Sequence, residues 1–248
     1  MKNKYKLTIS YDGTSYFGWQ IQPNKITVQE SIEDAFFKIL RKKASIVASG
    51  RTDASVHAKN QVAHIEIDEK IDPEKTKYKL NSILNDDIKI LKIEKVDIAF
   101  HARFSAKKKI YHYHICLNET QDPFNRLYSY KPKEKIDIAL LKKAAKNFIG
   151  KKDFSSFANK KDCGCAKNNS TKNLMRLDVI DTNYGIRLEF EADGFLYKMV
   201  RNIVGTLLDI ASNKIPLDSI DEIFKAKDRS KAGKTAKAKA LFLEKIIY

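Results

Sequence analysis

Short segments in which apolar and polar residues alternate recur along the chain, and this pattern constrains the fold more than any other feature. Every second side chain is aromatic or aliphatic in residues 4–11, and the alternation returns in residues 61–67 and 110–117. Successive side chains of a β-strand point to opposite faces of a sheet, so each segment is predicted to be a strand with one buried face. Residues 241–248 are predicted to form a final strand.

Two alternating segments, residues 174–181 and 185–192, lie on either side of a short polar turn. Strands joined by so short a turn run antiparallel, which predicts a β-hairpin. Helical segments interrupt the strands at irregular intervals rather than after every strand. This order favours an α+β fold with an antiparallel or mixed sheet over a parallel one.

Four segments carry the apolar period of about 3.6 residues that is typical of helices. The first is predicted to begin at Thr27, whose spacing from Glu30 is that of a capping box, and the second is predicted to begin after Asp137. The predicted helices cover residues 27–41, 137–149, 195–212 and 217–226.

The composition excludes several classes of protein. With 43% hydrophobic residues the chain can bury a core, so it is not a disordered basic tail. It has no run of about 18 apolar residues and no apolar stretch of a secretory signal near its start, so we predict neither a membrane span nor export. Three cysteines are too few for a disulfide framework, which favours a reducing, cytoplasmic location.

The formal net charge of +16 is distributed unevenly along the 248 residues. Residues 1–100 carry 17 basic and 14 acidic side chains, whereas residues 101–248 carry 30 and 17. The change predicts an N-terminal domain over residues 1–105 and a C-terminal domain over residues 106–248. Such a basic surface fits either a polyanionic partner or a lysine-rich composition that only maintains solubility.

The densest group of polar residues is the segment SGRTDASVHA, residues 49–58, between the first predicted helix and the next strand. Its small residues predict a loop, in which Asp53 lies two residues after Arg51. Loops on a rigid scaffold often carry function, and a nearby arginine can hold an aspartate ionised. The alternative interpretation is an ordinary turn with a solvated aspartate.

Two basic groups elsewhere are candidates for contact with a ligand. Arg201 interrupts the apolar segment 195–212, where it lies at a surface edge or pairs with a buried carboxylate, and Lys198 lies near it on one helical face. The three lysines at 107–109 lead into Tyr111, so this strand either meets phosphates and stacks a base or buries a core tyrosine.

The sequence offers little for a metal ion or a catalytic triad. Cys163 and Cys165 have no second pair of ligands with zinc spacing, and we predict no metal site. Asp53, Ser55 and His57 lie too close in one loop for the geometry of a triad. Neither the phosphate-binding loop motif nor the dinucleotide-binding glycine motif occurs, which argues against enzymes that use those ligands.

Seven segments, in matching order and spacing across nearly the whole chain, resemble the TruA-type tRNA pseudouridine synthases. They are YDGTSYFGWQIQ (residues 11–22), TVQESIE (27–33), SGRTDASVHA (49–58), FHARFSAKKKIYHYHI (100–115), KDFSSFA (152–158), ADGFLYKMVRNIVGTL (192–207) and LFLEKIIY (241–248).

The resemblance implies an isomerase that converts uridine to pseudouridine at positions 38–40 of tRNA, in the anticodon arm. It implies an α+β fold of two α/β-sandwich-like domains that share a continuous antiparallel sheet, with helices on the outer faces and a basic central cleft. It also implies a cytoplasmic homodimer that binds tRNA and needs no cofactor.

The resemblance also assigns site residues. The invariant aspartate of the family falls on Asp53, its active-site tyrosine on Tyr111, and the arginine partner of the aspartate on Arg201. Substrate contacts are predicted for Tyr111, Arg51 and Leu241. RNA contacts are predicted for the basic residues Lys107, Lys108, Lys109 and Lys198.

These assignments suggest a mechanism with two open routes. Asp53 either attacks C1′ of the target uridine or removes a sugar proton to give a glycal, while Arg201 keeps its carboxylate ionised. Tyr111 stacks on the uracil, and its phenol assists deprotonation at C5.

The chain departs from the family pattern at a few positions. Ser55 stands where glycine is usual, and if that position requires a positive φ, serine strains the loop by about 1 kcal/mol. Lys198 replaces the more usual histidine. Lys234, Lys237 and Ala240 stand where prolines and glycine are common.

Two other functions are compatible with the same residues. A paralogue of the family that modifies ribosomal RNA or another tRNA position would use the same chemistry, and the departures from the pattern favour it. A non-catalytic RNA-binding protein on this scaffold would need none of Asp53, Tyr111 and Arg201, so their presence argues against it.

Overall fold

The computed structural model describes residues 2–159 and 169–248 and divides the chain into two compact units. The first unit comprises Met1–Lys107 and Phe242–Tyr248, and the second comprises Lys108–Leu241. The division therefore falls two residues after the predicted position, and the last residues of the chain group with the first unit. Cys163 and Cys165 lie outside the described residues.

The described part of the chain contains five α-helices and nine β-strands. In chain order they are β1 (Asn3–Tyr11), α1 (Val28–Leu40), β2 (Ile46–Ala48), β3 (His57–Ile67), α2 (Pro73–Ile83), β4 (Ile88–Val96), β5 (Lys108–Cys116), α3 (Ile138–Lys146), β6 (Gly150–Asp153), β7 (Thr171–Thr182), β8 (Gly185–Ala192), α4 (Met199–Ala211), α5 (Ser219–Ala226) and β9 (Leu241–Ile247).

The strands of the first unit follow the order β4-β1-β3-β9, and β2 also pairs with β3. β1 is antiparallel to both β3 and β4, whereas β9 is parallel to β3 through the pairs His57 with Phe242 and Ala58 with Leu243. The predicted alternation in β1 is confirmed, because Leu7 and Ile9 are fully buried. The sheet is therefore mostly antiparallel with one parallel pairing.

The beginning of α1 is as predicted. The Thr27 hydroxyl accepts a hydrogen bond from the backbone N–H of Glu30 at 3.4 Å, and Ile32 and Phe36 are fully buried. Helix α2 and strands β2, β4 and β6 were not predicted. Asp72 caps α2 from the position before a proline, a recognisable start signal, but the helix buries too few side chains for a strong apolar period.

The strands of the second unit follow the order β5-β8-β7-β6 and pair antiparallel. The predicted hairpin is β7–β8, which closes through a two-residue turn between Thr182 and Gly185. In β5 the side chains of Tyr111, Tyr113 and Ile115 are buried on one face, as the alternation predicts.

The helix predicted over residues 195–212 begins four residues later, at Met199. Lys198 has φ 60° and ψ 10°, a left-handed conformation that an α-helix cannot contain. The apolar pattern continues upstream of Met199 because Phe195 and Leu196 are also half-buried. α3 begins after Asp137, whose side chain accepts from the backbone N–H of Leu140 at 2.9 Å, as predicted.

Helix α4 forms the centre of the second unit. Its side chains are buried around nearly its whole circumference, and it contacts α3, which in turn contacts β7. Among the described residues, no helix has the length and apolar character that crossing a membrane requires.

Candidate active site

Asp53 lies in a loop that connects β2 to β3 in the first unit. The loop residues differ sharply in exposure: Thr52 is buried, Asp53 is half-buried and Arg51 is exposed. The backbone N–H of Val56 donates to the carbonyl of Asp53 at 3.2 Å, so the chain turns sharply just after the carboxylate. The loop therefore fixes its base in the core and leaves the Asp53 side chain in partial contact with solvent.

The end of β1 and the segment that follows it hold this loop from one side. The Tyr11 and Thr52 hydroxyls share a buried hydrogen bond of 2.8 Å, and the backbone N–H of Trp19 donates to the carbonyl of Thr52 at 3.1 Å. On the other side of Asp53, the N–H of Ser55 donates to the carbonyl of Tyr16 at 3.2 Å. Burial raises the pKa of Tyr11 to about 12, so its phenol stays protonated at neutral pH.

Two glycines allow this close approach. A Cβ at Gly13 would lie 2.1 Å from the carbonyl oxygen of Val56. Gly18 has φ 89°, and a Cβ there would lie 2.5 Å from the carbonyl oxygen of Thr52. No larger residue fits either position without moving the backbone, which explains the glycines of the segment YDGTSYFG in physical terms.

His57 has a structural position. Its ring is 1% exposed and stacks on Phe242 with 4.5 Å between ring centroids. Its Nδ1 lies 3.1 Å from the backbone nitrogen of Gly13 and 3.0 Å from Oδ1 of Asp12. The imidazole thus joins the loop to the segment after β1, a use that differs from the base of a catalytic triad.

Ser55 adopts φ 61°, in the left-handed region that favours glycine. The condition under which serine would strain the loop is therefore met. The chain tolerates a cost of about 1 kcal/mol at the second residue after Asp53.

Tyr111 lies on β5 in the second unit, where it is 7% exposed. Its ring meets that of Phe195 edge-to-face, with a centroid distance of 5.1 Å and an interplanar angle of 83°. Phe190 is its partner across the strand pair with β8. These contacts orient the ring, and the burial of Tyr111 agrees with its interpretation as a core tyrosine.

Arg201 lies in the first turn of α4 and is half-buried. Its Nε donates to the carbonyl of Ala236 at 2.8 Å, and the N–H of Ala236 donates back to the carbonyl of Arg201 at 3.0 Å. This reciprocal pair fixes the direction of the guanidinium group. The planar fork is thereby pre-oriented, as a carboxylate clamp requires.

Asn202, the next residue, joins two segments to the start of α4. Its amide nitrogen donates to the carbonyl of Phe157 at 2.8 Å and to the side chain of Asn159 at 2.9 Å. Its amide oxygen accepts from Arg229 at 3.0 Å and from Thr235 at 2.7 Å. The residue is fully buried and all of these contacts lie within the second unit.

The sequence analysis assigns no role to Asn202. The sequence nevertheless contains a signal for Asn202, because an asparagine within so apolar a segment must find hydrogen-bond partners. Its partners lie in the segments 154–159 and 229–235, which no local pattern connects to α4.

The remaining predicted residues have diverse surroundings. Leu241, at the start of β9, is 6% exposed. Lys107 is exposed, whereas Lys108 forms an ion pair of 2.8 Å with Glu191. The ammonium group of Lys198 lies 5.1 Å from the ring centroid of Tyr197. Lys109 is half-buried.

The predicted residues divide between the two units. Asp53 and Arg51 share one loop of the first unit, and Tyr111 and Arg201 lie on β5 and α4 of the second. In residues 2–159 and 169–248, no group of three or more histidine, cysteine, aspartate or glutamate side chains is arranged to hold a metal ion.

Comparison with known proteins gives one consistent family. A family model described as tRNA pseudouridine synthase matches residues 7–105 and 144–248. The chain is 51% identical over 245 residues to the tRNA pseudouridine synthase A 1 of Protochlamydia amoebophila, which covers 98% of this chain and 96% of that protein.

Further relatives carry the same description. The tRNA pseudouridine synthase A of Thermoanaerobacter sp. is 43% identical over 242 residues, with 98% of both chains covered. The tRNA pseudouridine synthase A of Bacillus pumilus is 41% identical over 251 residues, with 99% of both chains covered. The matches therefore extend over both units.

Proposed function

The chain belongs to the tRNA pseudouridine synthase family, and we propose that it acts on the anticodon arm of tRNA, at uridines 38–40. The family membership makes the protein an isomerase that converts uridine to pseudouridine in tRNA. The reaction breaks the N1–C1′ bond of the nucleotide, turns the uracil and joins C5 to C1′. Its atoms balance without oxidation or reduction, so we expect no cofactor.

We assign the central role to Asp53. The observation that carries this assignment is the build of its loop, in which Thr52 and Ser55 are each fixed by the segment after β1 while the Asp53 side chain stays half-buried. A carboxylate on such a rigid support acts either as the nucleophile at C1′ or as the base that removes a sugar proton. Both routes need it ionised.

Arg201 is proposed to keep the Asp53 carboxylate ionised when substrate is bound. Water is then excluded from the site, and an isolated carboxylate would take up a proton. An arginine is suited to this role because its guanidinium group is always charged and presents a planar fork. The bond from Arg201 to Ala236 supports the proposal because it restrains the fork before substrate arrives.

Tyr111 is proposed to contact the target uracil. The target base must leave the helical stack before the enzyme reaches C1′, which costs a few kcal/mol. An aromatic ring that is already oriented by Phe195 offers a surface on which the displaced base can stack. Arg51 and Leu241 are proposed as further substrate contacts.

The basic residues of the second half of the chain are proposed to hold the RNA backbone. Residues 101–248 carry most of the net charge. Contacts with phosphates recognise a stem-loop by the shape of its backbone rather than by its base sequence. The proposed contacts are Lys107, Lys108, Lys109 and Lys198, and Lys108 would have to leave its ion pair with Glu191 to meet a phosphate. We further propose a cytoplasmic homodimer, as is typical of the family.

The proposal is tested with two forms of one tRNA, labelled with tritium at C5 of uridine. One form carries uridines at positions 38–40 and the other carries cytidines there. Formation of pseudouridine releases tritium to water, and we expect release from the first form only.

Equal release from both forms would move the target to another position, as for the paralogue considered above. No release from either form, together with pseudouridine loss from ribosomal RNA in a deletion strain, would exclude tRNA as the substrate.

A further inference from the structure

Residues 17–26, between β1 and α1, form a tight hairpin that we call the Phe17 hairpin. The backbone N–H of Phe17 donates to the carbonyl of Ile26 at 2.9 Å, and Gln22 and Lys25 form an antiparallel bridge. Asn24 has φ 57° directly after a proline, as a type II turn requires. The hairpin is thus a built element with a defined backbone.

The Phe17 hairpin exposes apolar side chains. Phe17 is 47% exposed, Ile21 is 40% exposed and Ile26 is 65% exposed. The ammonium group of Lys25 lies 4.2 Å from the centroid of the Phe17 ring, in a cation–π contact. A single exposed apolar residue needs no explanation, but three in ten residues around a restrained aromatic ring indicate a binding surface.

The base of this hairpin touches the Asp53 loop. Gly18 packs so closely that an added Cβ would lie 3.0 Å from the carbonyl carbon of Asp53. Trp19, 1% exposed, donates its backbone N–H to the carbonyl of Thr52. Phe17 therefore directly precedes the two residues, Gly18 and Trp19, that pack against the backbone of the Asp53 loop.

The charge of the Phe17 hairpin favours a nucleic acid over a protein as its partner. Lys25 is the only charged residue in residues 17–26. An aromatic ring beside a lysine, with no carboxylate in the element, suits a nucleotide, since the base stacks on the ring and the phosphate pairs with the amine. A protein partner would also accept the apolar surface, but nothing in the hairpin favours it in the same way.

We propose that Phe17 stacks on an unpaired base of the substrate RNA next to the target uridine, and that Lys25 pairs with the phosphate of that nucleotide. This inference rests on the proposed function. Its physical role is to hold the neighbouring nucleotide while the target uridine leaves the stack, so that Asp53 meets a fixed backbone. Phe17 is thus a substrate-binding residue rather than a member of the reacting group.

The test compares Phe17→Ala, Phe17→Trp and Tyr78→Ala with the unaltered protein, using an anticodon stem-loop RNA and tritium release. Phe17→Ala is expected to raise KM about tenfold and leave kcat within twofold, the effect of one lost base–aromatic stack. Phe17→Trp keeps a stacking ring and is expected to keep KM within about twofold. Tyr78, an aromatic residue of α2 that is 76% exposed, is the matched control and should change nothing.

The outcomes separate this inference from the proposed function. An active unaltered protein with an unchanged KM for Phe17→Ala would overturn the inference alone. A raised KM that accompanies a change of oligomeric state in sedimentation, and that is equal in Phe17→Trp, would overturn it in favour of a protein interface. If the unaltered protein releases no tritium from this RNA, the proposed function fails and the inference falls with it.

Discussion

The Asp53 loop and the start of α4 are both rigid, but they are held in two different ways. Around Asp53 the restraints are mostly backbone contacts, and they exist because Gly13 and Gly18 carry no side chain. At the start of α4 most restraints come from side chains: Arg201 bonds to the carbonyl of Ala236, and the Asn202 amide makes four hydrogen bonds. The packing of the Asp53 loop therefore requires glycines, which have no Cβ atom, whereas the packing at the start of α4 requires the side-chain amide of Asn202.

The two regions also differ in charge. The first hundred residues are nearly balanced, whereas the rest of the chain has 30 basic and 17 acidic side chains. In our account the balanced part carries the reacting carboxylate, and the basic part holds the RNA backbone. Because the reacting carboxylate lies in the nearly balanced part, the net charge of the whole chain indicates RNA binding but not the chemistry.

The largest effect on the loop should come from filling the space at Gly13. In Gly13→Ala the new Cβ meets the carbonyl of Val56, so we expect a loss of about 3 kcal/mol of unfolding free energy and nearly complete loss of activity. Chemical denaturation and tritium release measure both. Gly194→Ala is the control, because its Cβ would meet only a lysine carbon at 3.9 Å. Equal effects of the two changes would contradict the role of backbone packing.

Acid should weaken the first unit through His64. The side chain is 5% exposed, its Nδ1 accepts from the N–H of Ala102 at 3.2 Å, and burial, then His101 and Lys4, lower its pKa to about 4. Between about pH 6.5 and pH 4 the unfolded chain takes up a proton that the folded unit does not.

Unfolding free energy should therefore fall by roughly 2 to 3 kcal/mol as the pH drops through this range. Denaturation of the unaltered protein and of His64→Gln at several pH values measures this contribution. The variant cannot gain that proton, so its curve should be flatter. Parallel curves would show that His64 does not make the first unit acid-sensitive.

The side-chain network of the second unit is tested by Asn202→Ala. Its removal leaves buried donors on Arg229 and Thr235 without their shared acceptor, so we expect a loss of about 2 kcal/mol. Activity should fall further than stability predicts, since Arg201 is the neighbouring residue. Asn147→Ala, an exposed asparagine in the same unit, should cost less than about 0.5 kcal/mol. A similar loss in both variants would remove the special role of Asn202.

The smallest expected effect is a gain at Ser55. Glycine adopts φ 61° without steric cost, so Ser55→Gly should raise the unfolding free energy by up to about 1 kcal/mol and keep activity. Ser55→Ala is the matched variant, since alanine retains the strain and should bring no gain. A destabilised glycine variant would show that the serine side chain contributes more than its backbone costs.

Much of the fold was predictable because the pattern and the structure follow the same local rules. Alternation identified β1, β5 and the β7–β8 hairpin, and capping signals identified the starts of α1 and α3. Helix α2 and strands β2, β4 and β6 were missed. Helix α2 buries few side chains, β2 and β6 have only three and four residues, and a register shift against β1 interrupts the alternation of β4. The start of α4 was placed too early, because a left-handed residue leaves no mark in an apolar pattern.

The candidate site was predictable in part, and for a different reason. Asp53, Tyr111 and Arg201 were singled out by residue type and by resemblance, not by local structure. The restraints on them could not be read from the sequence, because Tyr11, Trp19 and Asn202 act on residues that are distant along the chain. Backbone contacts between two loops also leave no trace in side-chain periodicity.

The central claim is that the carboxylate of Asp53, on its rigid loop, carries out the chemistry. Asp53→Asn keeps the size and shape of the side chain and removes only its charge and basicity. We predict that this variant releases no tritium from C5-labelled anticodon-arm RNA, while it binds that RNA within a few fold of the unaltered protein. Pseudouridine formation by Asp53→Asn at a rate near that of the unaltered protein would contradict the claim.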